Sequence, residues 1–375
     1  WGRFYRNQRR NQEIMADSLY IHIPFCNHIC PYCDFPKVIY NPQWAFSYLD
    51  ALFSEIDSLG IDKVKTIYIG GGTPSSLNLE CLETLLRKLG PLLKEDYEFS
   101  LEANPDSLTK EKIELLAKYG VNRVSLGVQS TIKKNLDFLG RKHSFNDVKQ
   151  CVSNLKEAGI TNINCDLIYA YKGLTIEEID KTLDDTLSLE IPHISAYSLI
   201  LEKGTVFDIK GIKEENEDEC ASEYEFILNK LRSNGYKRYE FSSFCKSNRQ
   251  CIHNLTYWKN KEYYAAGLGA SSYINNIRYK NTINLNSYLK KEYDRSEEIV
   301  TPKDLYEYFL LTNLRLEDGF SLDEFESIFG KQKTSDLLNK ANSLLKDGLL
   351  LQEKNILRCS DRGLLLLDQV LINLF

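Results

Sequence analysis

At 375 residues, of which 43% are hydrophobic and 27% charged, the chain has enough apolar material for one large core and a smaller second core. Its formal net charge of −6 argues against nucleic acid as the main partner. No segment approaches the ~18 apolar residues that a membrane span needs, and no apolar stretch typical of a secretion signal follows the amino terminus. These properties exclude an integral membrane protein and predict a cytoplasmic location.

The first predicted segment is an N-terminal tail, residues 1–17. It contains Met15, the only methionine of the chain, and four arginines precede its first acidic residue, Glu13. We interpret Met15 as the translation start and residues 1–14 as upstream or non-native sequence, which takes no part in the fold argument.

From Ser18 onward, short β-rich runs alternate with helix-length segments. In residues 45–59, for example, apolar residues recur every three or four positions, which is the periodicity of a helix. Strands are predicted at 18–23, 65–70, 97–102, 122–128, 162–168 and 193–199. This α/β order predicts parallel strands joined by right-handed crossovers, as an open or closed (β/α) barrel or as a doubly wound sheet. In either architecture, ligands bind at the carboxyl ends of the strands.

Unusual motifs stand at those carboxyl ends. After the second, third and fourth strands come "GGGTPSS" (70–76), "EANP" (102–105) and "GVQS" (127–130), and "CDLIY" (165–169) spans the end of the fifth. Glycines let the backbone approach a ligand closely, and the hydroxyl of Thr73 suits a carboxylate. Each motif alone is weak evidence, because glycine turns and single polar residues have structural uses. Their shared position on one rim predicts a binding site.

The first strand is followed by Cys26, Cys30 and Cys33, in the spacing C-x3-C-x2-C. Because thiols stay reduced in the cytosol, clustered cysteines favour a metal site over disulfides. A structural zinc ion needs a fourth ligand, for which His22 in the strand and His28 in the cysteine loop are the local candidates. A [4Fe-4S] cluster held by three cysteines instead leaves one iron free for a cofactor or substrate. The spacing favours the cluster and keeps a zinc-stabilised barrel without redox chemistry as an alternative.

Together these motifs resemble the radical S-adenosylmethionine superfamily. More narrowly, the order of "YIHIPFC", "GGGTPS", "EANP", "GVQS", "LGR", "DLIY", "HNLTYW" and "GLGASS" is similar to that of the oxygen-independent coproporphyrinogen III oxidase-like family, from about residue 18 to the carboxyl terminus. The resemblance implies a radical-SAM-type (β/α)6 partial TIM barrel. It also implies that the open iron of the cluster chelates S-adenosylmethionine, which the reduced cluster cleaves to a 5'-deoxyadenosyl radical.

The resemblance assigns binding roles residue by residue. It makes Cys26, Cys30 and Cys33 the cluster ligands. The implied contacts of S-adenosylmethionine are Tyr20, Tyr32, Gly71, Gly72, Thr73, Glu102, Gln129, Arg141 and Asp166. Arginine suits a carboxylate as a bidentate partner, and acidic side chains accept hydrogen bonds from ribose hydroxyls. After "DLIY" this chain continues "AYKG" where the family usually has Gly-Leu-Pro-Gly, which weakens the assignment of Asp166.

Two branches of this family differ at a few positions. The oxidase branch has a further cysteine two residues after the third ligand, where this chain has Phe35, and a sizeable extension before the first strand. "HNLTYW", residues 253–258, is similar to the HNxxYW signature of the heme-chaperone branch. The resemblance therefore favours a heme chaperone that binds the cluster, S-adenosylmethionine and heme and delivers heme to acceptor proteins. The alternative is an oxygen-independent coproporphyrinogen III oxidase that decarboxylates two propionates, so enzymatic activity is left undecided.

His253 is the expected heme contact within that signature. Imidazole suits axial ligation of heme iron, and Tyr257 and Trp258 offer flat apolar faces to a porphyrin. A histidine followed by aromatic residues is also typical of a packed, hydrogen-bonded side chain. Both interpretations stay open at this point.

The core is predicted at 18–235, a barrel extension carrying HNLTYW at 236–300, and a winged-helix-like α+β domain at 301–375. The last region has 9 Lys and Arg against 12 Asp and Glu, which favours docking over DNA binding. In the family, a comparable domain covers the mouth of the barrel. The expected partners are heme, heme-accepting proteins and an electron donor for the cluster. A homodimer and a peripheral membrane contact are left open.

Overall fold

The computed structural model of the chain describes residues 16–375. The expected translation start at Met15 and the interpretation of residues 1–14 fall outside the described residues and stay predictions.

The described part of the chain alternates strands and helices. The strands are β1 (Ser18–Ile23), β2 (Phe25–Cys26), β3 (Val38–Ile39), β4 (Val64–Gly71), β5 (Leu93–Ala103), β6 (Arg123–Gln129), β7 (Asn162–Tyr169), β8 (His193–Ser198), β9 (Lys237–Glu240), β10 (Ser243–Cys245), β11 (Tyr264–Ala266), β12 (Ser271–Ile274), β13 (Ile277–Lys280), β14 (Ser296–Ile299), β15 (Phe320–Ser321), β16 (Leu350–Glu353) and β17 (Ile356–Cys359). The helices are α1 (Pro42–Ser58), α2 (Leu79–Leu89), α3 (Lys110–Lys118), α4 (Lys133–Phe138), α5 (Phe145–Glu157), α6 (Ile176–Leu187), α7 (Val206–Ile209), α8 (Glu217–Ser233), α9 (Ile252–Trp258), α10 (Leu285–Leu289), α11 (Pro302–Asn313), α12 (Leu322–Phe329), α13 (Lys331–Lys346), α14 (Asp361–Leu365) and α15 (Leu367–Leu374).

The predicted strands form one contiguous parallel block. The strand order of the main sheet is β11-β1-β4-β5-β6-β7-β8-β10-β9, and all neighbours from β1 to β8 pair in parallel. Because the order from β1 to β8 never reverses, the doubly wound alternative is excluded and the (β/α)6 architecture is confirmed. Among the described strands, the sheet ends β11 and β9 do not pair with each other, so the barrel is open.

Each strand of the block turns apolar residues toward the helices and polar residues toward the interior. In β1, the side chains of Leu19, Ile21 and Ile23 are fully buried in the main core, while Tyr20 and His22 alternate with them on the inner face. This period of two places every second residue of a strand on the same face of the sheet. The polar interior and the carboxyl-end rim are therefore built from alternate residues of the same strands.

A buried carboxylate ties the barrel extension to the first helix. Glu55 of α1 is fully buried and accepts hydrogen bonds from the backbone N–H of Gly267 (2.9 Å), the Asn281 amide (2.7 Å) and the Tyr288 hydroxyl (2.6 Å). The Arg295 guanidinium, 2.7 Å away, supplies the counter-charge. A buried charge with this many partners holds the extension in one position.

The carboxyl-terminal region forms a helical and β-hairpin domain with its own apolar core. It docks through the buried guanidinium of Arg238, which pairs with Glu317 and lies 2.6 Å from Asp361. Arg232 of α8 adds a second contact to Asp361 at 2.7 Å. Since these contacts are to β9 and α8, the domain lies against the side of the barrel at its last strands. Its expected place over the mouth of the barrel stays a prediction.

Candidate functional site

The cysteine loop leaves the first strand and is held at several points. Strand β2, which ends in Cys26, pairs in parallel with β3. The ring Nε2–H of His22 donates to the carbonyl of Pro36 (2.8 Å), and the N–H of Phe207 donates to the carbonyl of Pro31 (3.0 Å). These contacts order the loop between β1 and α1, so the three thiols sit on a preformed backbone.

Two of the three thiols have a polar neighbour from a later segment of the chain. The Thr73 hydroxyl lies 3.5 Å from Cys26 Sγ, and Arg141 Nη1 lies 3.4 Å from Cys30 Sγ. Burial raises the pKa of Cys26 to about 11. Burial also opposes ionisation of Cys30, but hydrogen bonding from His28 and the Arg141 guanidinium outweigh it and lower the pKa of that thiol to about 7. The loop therefore stabilises one thiolate before any metal binds.

The donor set fits a cluster better than a single zinc ion. Within residues 16–375, no group of three His, Cys, Asp or Glu side chains converges on a position for one metal ion. His22 is not a fourth ligand, because its Nε2–H is donated to Pro36 and its Nδ1 accepts from the Tyr20 hydroxyl at 3.0 Å. Three separate thiols suit a [4Fe-4S] cluster, in which each cysteine binds a different iron. His28, the other candidate, forms a hydrogen bond with Cys30, so the zinc alternative stays open to a metal analysis.

The glycines at the end of β4 pack directly against the start of the cysteine loop. A side chain at Gly71, where φ is +109°, would place its Cβ 2.4 Å from the His22 ring. At Gly72 a Cβ would lie 2.7 Å from the backbone of Pro24, and at Gly70 it would lie 2.8 Å from the Glu102 carboxyl. The contact at Gly72 is with backbone and cannot be relieved by a side-chain movement, and Gly71 also has a positive φ, so these two positions require glycine.

Glu102, at the end of β5, joins this turn to the barrel interior. Its carboxylate accepts hydrogen bonds from the Tyr68 hydroxyl (2.9 Å) and the backbone N–H of Gly71 (3.0 Å). Burial and the nearby Asp166 raise the pKa of Glu102 to about 7. The carboxylate therefore lies at the rim, and its oxygens can accept a further hydrogen bond from a ligand hydroxyl.

Arg141, in the segment that follows α4, connects the rim to the cysteine loop. Its Nη2 donates to Asn104 Oδ1 (2.5 Å) and to the carbonyl of Gly127 (2.6 Å), while Nη1 faces Cys30. Only its buried Nε lacks a hydrogen-bond partner among the described residues. A bidentate pair with a ligand carboxylate would therefore have to replace one of the present bonds.

Gln129 lies beside this group. Its Nε2 would be 3.1 Å from a Cβ atom placed at Gly127.

Asp166 is held inside the rim by its neighbours. It accepts from the Ser125 hydroxyl and the Asn164 amide, both at 2.8 Å, and burial raises its pKa. The "AYKG" stretch that follows still turns sharply, because Ala170 adopts φ +61° and its N–H donates to Glu223 (2.8 Å). The turn therefore forms without the glycine that the family usually has, and the backbone of Ala170 is strained.

The two predicted tyrosines take different places. Tyr20 lies on the inner face of β1, where its ring stacks on Tyr68 with a centroid separation of 6.3 Å. Tyr32 lies in the cysteine loop, 6.4 Å from the Phe207 ring and next to Cys30. Phe35, at the position where the oxidase branch has cysteine, is 59% exposed. The structure thus brings the predicted cluster and cofactor residues together at one rim, except Tyr20, which lies deeper in the barrel beside Tyr68.

His253 is not part of that rim. Its Nδ1 lies 2.8 Å from Thr66 Oγ1 at the start of β4, and its Nε2 lies 2.7 Å from the Tyr257 hydroxyl. The ring is fully buried, stacks on Tyr68 at 5.3 Å, and burial lowers its pKa to about 3. The interpretation as a packed, hydrogen-bonded histidine is confirmed. Heme ligation through His253 stays a prediction that requires α9 to leave this position.

Three residues of the site were missed or misjudged from the sequence. Asn104 supports Arg141, Tyr68 supports Glu102, and His22 anchors the cysteine loop rather than a metal. Asn104 could have been found, because it follows Glu102 by two residues in the same "EANP" motif and shares its face. Tyr68 could have been found by the same reasoning, because it lies two residues before Gly70 in β4 and shares its face.

Comparisons with known proteins agree with this geometry. The sequence matches the Radical SAM superfamily over residues 20–186 and the HemN C-terminal domain over residues 300–366. It is 40% identical to the heme chaperone HemW of Lactococcus lactis over 356 residues, covering 92% of this chain and 94% of the relative. It is 36% identical to HemW of Bacillus subtilis over 370 residues, covering 94% and 97% of the two chains.

Among solved structures, the chain is similar to coproporphyrinogen III oxidase (HemN) from Escherichia coli, described as a radical SAM enzyme. The TM-score is 0.82 at 22% identity, over 95% of this chain and 89% of HemN, a likeness that shows the fold alone. Within residues 16–375, no helix is long and apolar enough to cross a membrane. The sequence relationship is the more specific finding, and by it this chain belongs to the HemW family within the radical SAM superfamily.

Proposed function

We propose that this chain is a heme chaperone that carries a [4Fe-4S] cluster and S-adenosylmethionine and delivers heme to acceptor proteins. The observation that carries the proposal is its identity of 36 to 40% with curated heme chaperones over more than nine-tenths of its length. Phe35 supports the same branch, because it stands where the oxidase branch has a further cysteine.

The cluster is proposed to bind through Cys26, Cys30 and Cys33. When bound, it supplies an iron without a protein ligand and an electron for S-adenosylmethionine. Arg141, within hydrogen-bond distance of Cys30, offsets part of the thiolate charge, and Thr73 does so at Cys26. The polar contacts to sulfur stabilise the thiolates that the iron requires.

S-adenosylmethionine is proposed to bind along the same rim. Gly71 and Gly72 let the backbone approach its methionine part, while Glu102 and Asp166 accept hydrogen bonds from its ribose. Both carboxyls are partly buried, and this burial raises the pKa of each. Their hydrogen bonds to neighbouring residues orient the acceptor atoms before the cofactor arrives.

The predicted outcome is heme binding without porphyrin decarboxylation. Anaerobically reconstituted protein should give a saturable heme absorption change on titration. With reductant and S-adenosylmethionine present, it should leave coproporphyrinogen III unchanged, because Phe35 replaces the oxidase cysteine. Product analysis by chromatography checks this, with a known oxidase as the positive control. Formation of protoporphyrinogen IX would contradict the proposal and restore the oxidase alternative.

A further inference from the structure

A continuous set of contacts runs through the barrel, from the cofactor rim to the opposite end. At the rim, Gly71 donates its N–H to Glu102 (3.0 Å), and Glu102 accepts from the Tyr68 hydroxyl (2.9 Å). In the middle, the Tyr68 ring stacks on the ring of His253 at 5.3 Å with an interplanar angle of 29°. Tyr68 is thus the one residue of this set that contacts both Glu102 and α9, the helix that carries HNLTYW (the HNLTYW helix).

Helix α9 is fixed at the amino ends of the strands. The buried Glu98 carboxylate accepts the backbone N–H groups of Ile252 (2.9 Å) and His253 (3.0 Å). Thr66 holds the His253 ring from the start of β4. The helix therefore lies at the end of the barrel opposite the cysteine loop. The ring contact of His253 with Tyr68 links it toward the rim, beside Tyr257, which faces Glu102.

We propose that Tyr68 is a positioning residue for Glu102 and that the HNLTYW helix acts on the S-adenosylmethionine site through the Tyr68 ring. The inference rests on the proposed function, in which Glu102 accepts the ribose hydroxyls of the cofactor. It goes further in giving His253 a role at the cofactor site that needs no bond to heme iron. Displacement of α9, for instance when heme binds to it, then changes the affinity for S-adenosylmethionine.

The charges around Glu102 determine the expected pH dependence. The groups that face it are Tyr20 from β1, Tyr68 from β4, Arg123 from β6, Asp166 from β7, Tyr197 from β8 and Tyr257 from α9. Burial and Asp166 raise the pKa of Glu102, whereas the hydroxyl of Tyr68 lowers it by stabilising the carboxylate. Loss of that hydroxyl therefore raises the pKa of Glu102 above its value of about 7.

The first test is Tyr68→Phe, which removes the hydroxyl and keeps the ring on His253. Calorimetric titration of the reconstituted protein should give S-adenosylmethionine binding about tenfold weaker than wild type. Because the ribose hydroxyls donate to an ionised carboxylate, binding strengthens as pH rises through the pKa of Glu102. In Tyr68→Phe this rise should move to higher pH by about one unit.

Tyr236→Phe is the matched control. Tyr236 is also buried, but its hydroxyl donates to the carbonyl of Ile191 (2.5 Å), away from the rim. The Tyr236→Phe variant should bind S-adenosylmethionine with the affinity and the pH dependence of the wild type. If Tyr68→Phe binds S-adenosylmethionine with wild-type affinity and pH dependence, the inference is wrong. If the wild-type protein itself binds none, the proposed function fails instead.

The second test is a double-mutant cycle between positions 68 and 253. His253→Ala removes the ring against Tyr68 and should weaken S-adenosylmethionine binding severalfold in the wild-type background. In the Tyr68→Phe background it should add little, because the bond to Glu102 is already lost. His253→Phe keeps a ring against Tyr68 but has no nitrogen for iron, so it should retain most of the affinity. Equal losses from His253→Ala in both backgrounds would overturn the coupling through Tyr68.

Discussion

Replacing Cys26, Cys30 or Cys33 by alanine should abolish the [4Fe-4S] absorption and reduce bound iron to background. The three thiols are the only cysteines in the loop between β1 and α1, and no group of three ligands for a single metal ion is present among residues 16–375. With one thiol removed, no neighbouring cysteine of the loop replaces it. Iron and sulfide analysis after anaerobic reconstitution measures the effect.

Cys151→Ala is the control for this experiment. Cys151 is buried, as Cys26 and Cys30 are, but it lies on α5, in the helix layer of the main core. Its removal should leave iron and sulfide at wild-type levels. Wild-type protein that contains zinc in place of iron, and loses that zinc in the loop variants, would contradict the cluster and restore the zinc-stabilised alternative.

Gly71→Ala should weaken S-adenosylmethionine binding by at least about tenfold while the chain still folds. The new Cβ would lie 2.4 Å from the His22 ring, and alanine would have to adopt φ +109°. His22 cannot move freely, because both its ring nitrogens are hydrogen bonded. The turn must therefore shift, and with it the N–H that Gly71 donates to Glu102. Titration calorimetry measures the loss.

Gly159→Ala separates this steric effect from backbone strain. Gly159 has φ +85°, but no atom lies within 4 Å of the position of its Cβ. The substitution should lower the free energy of unfolding by about 1–2 kcal/mol through strain alone and leave cofactor affinity unchanged. Equal affinity losses in both variants would show that Gly71 acts through global stability rather than through the turn.

The parallel block was predictable because its strands obey a simple period. Leu19, Ile21 and Ile23 are apolar on one face, and the motifs at the strand ends mark the rim. The bounds were less accurate where the pattern changes: the third predicted strand, 97–102, is Leu93–Ala103 in the structure, since its first half carries charged residues. Edge strands such as β11, only three residues long, gave no such signal.

The sequence was enough to predict which motifs form the site. It was not enough to predict the orientation of His253, the expected heme contact. The strand-end motifs come together because topology alone places them on one rim. The orientation of His253 depends instead on partners 155 and 187 positions away in the chain, Glu98 and Thr66. A local motif does not specify contacts of that range, so it could not distinguish a packed histidine from an exposed ligand.

The central claim, delivery of heme by this chain, is tested most directly by the kinetics of heme transfer. Heme-loaded protein is mixed with the apo form of a bacterial b-type heme enzyme, and recovery of the acceptor's heme spectrum is followed. An excess of an unrelated heme scavenger gives the rate of simple dissociation. Our account predicts transfer that is faster than dissociation and accelerates with acceptor concentration. Transfer at the dissociation rate, whatever the acceptor concentration, would contradict it.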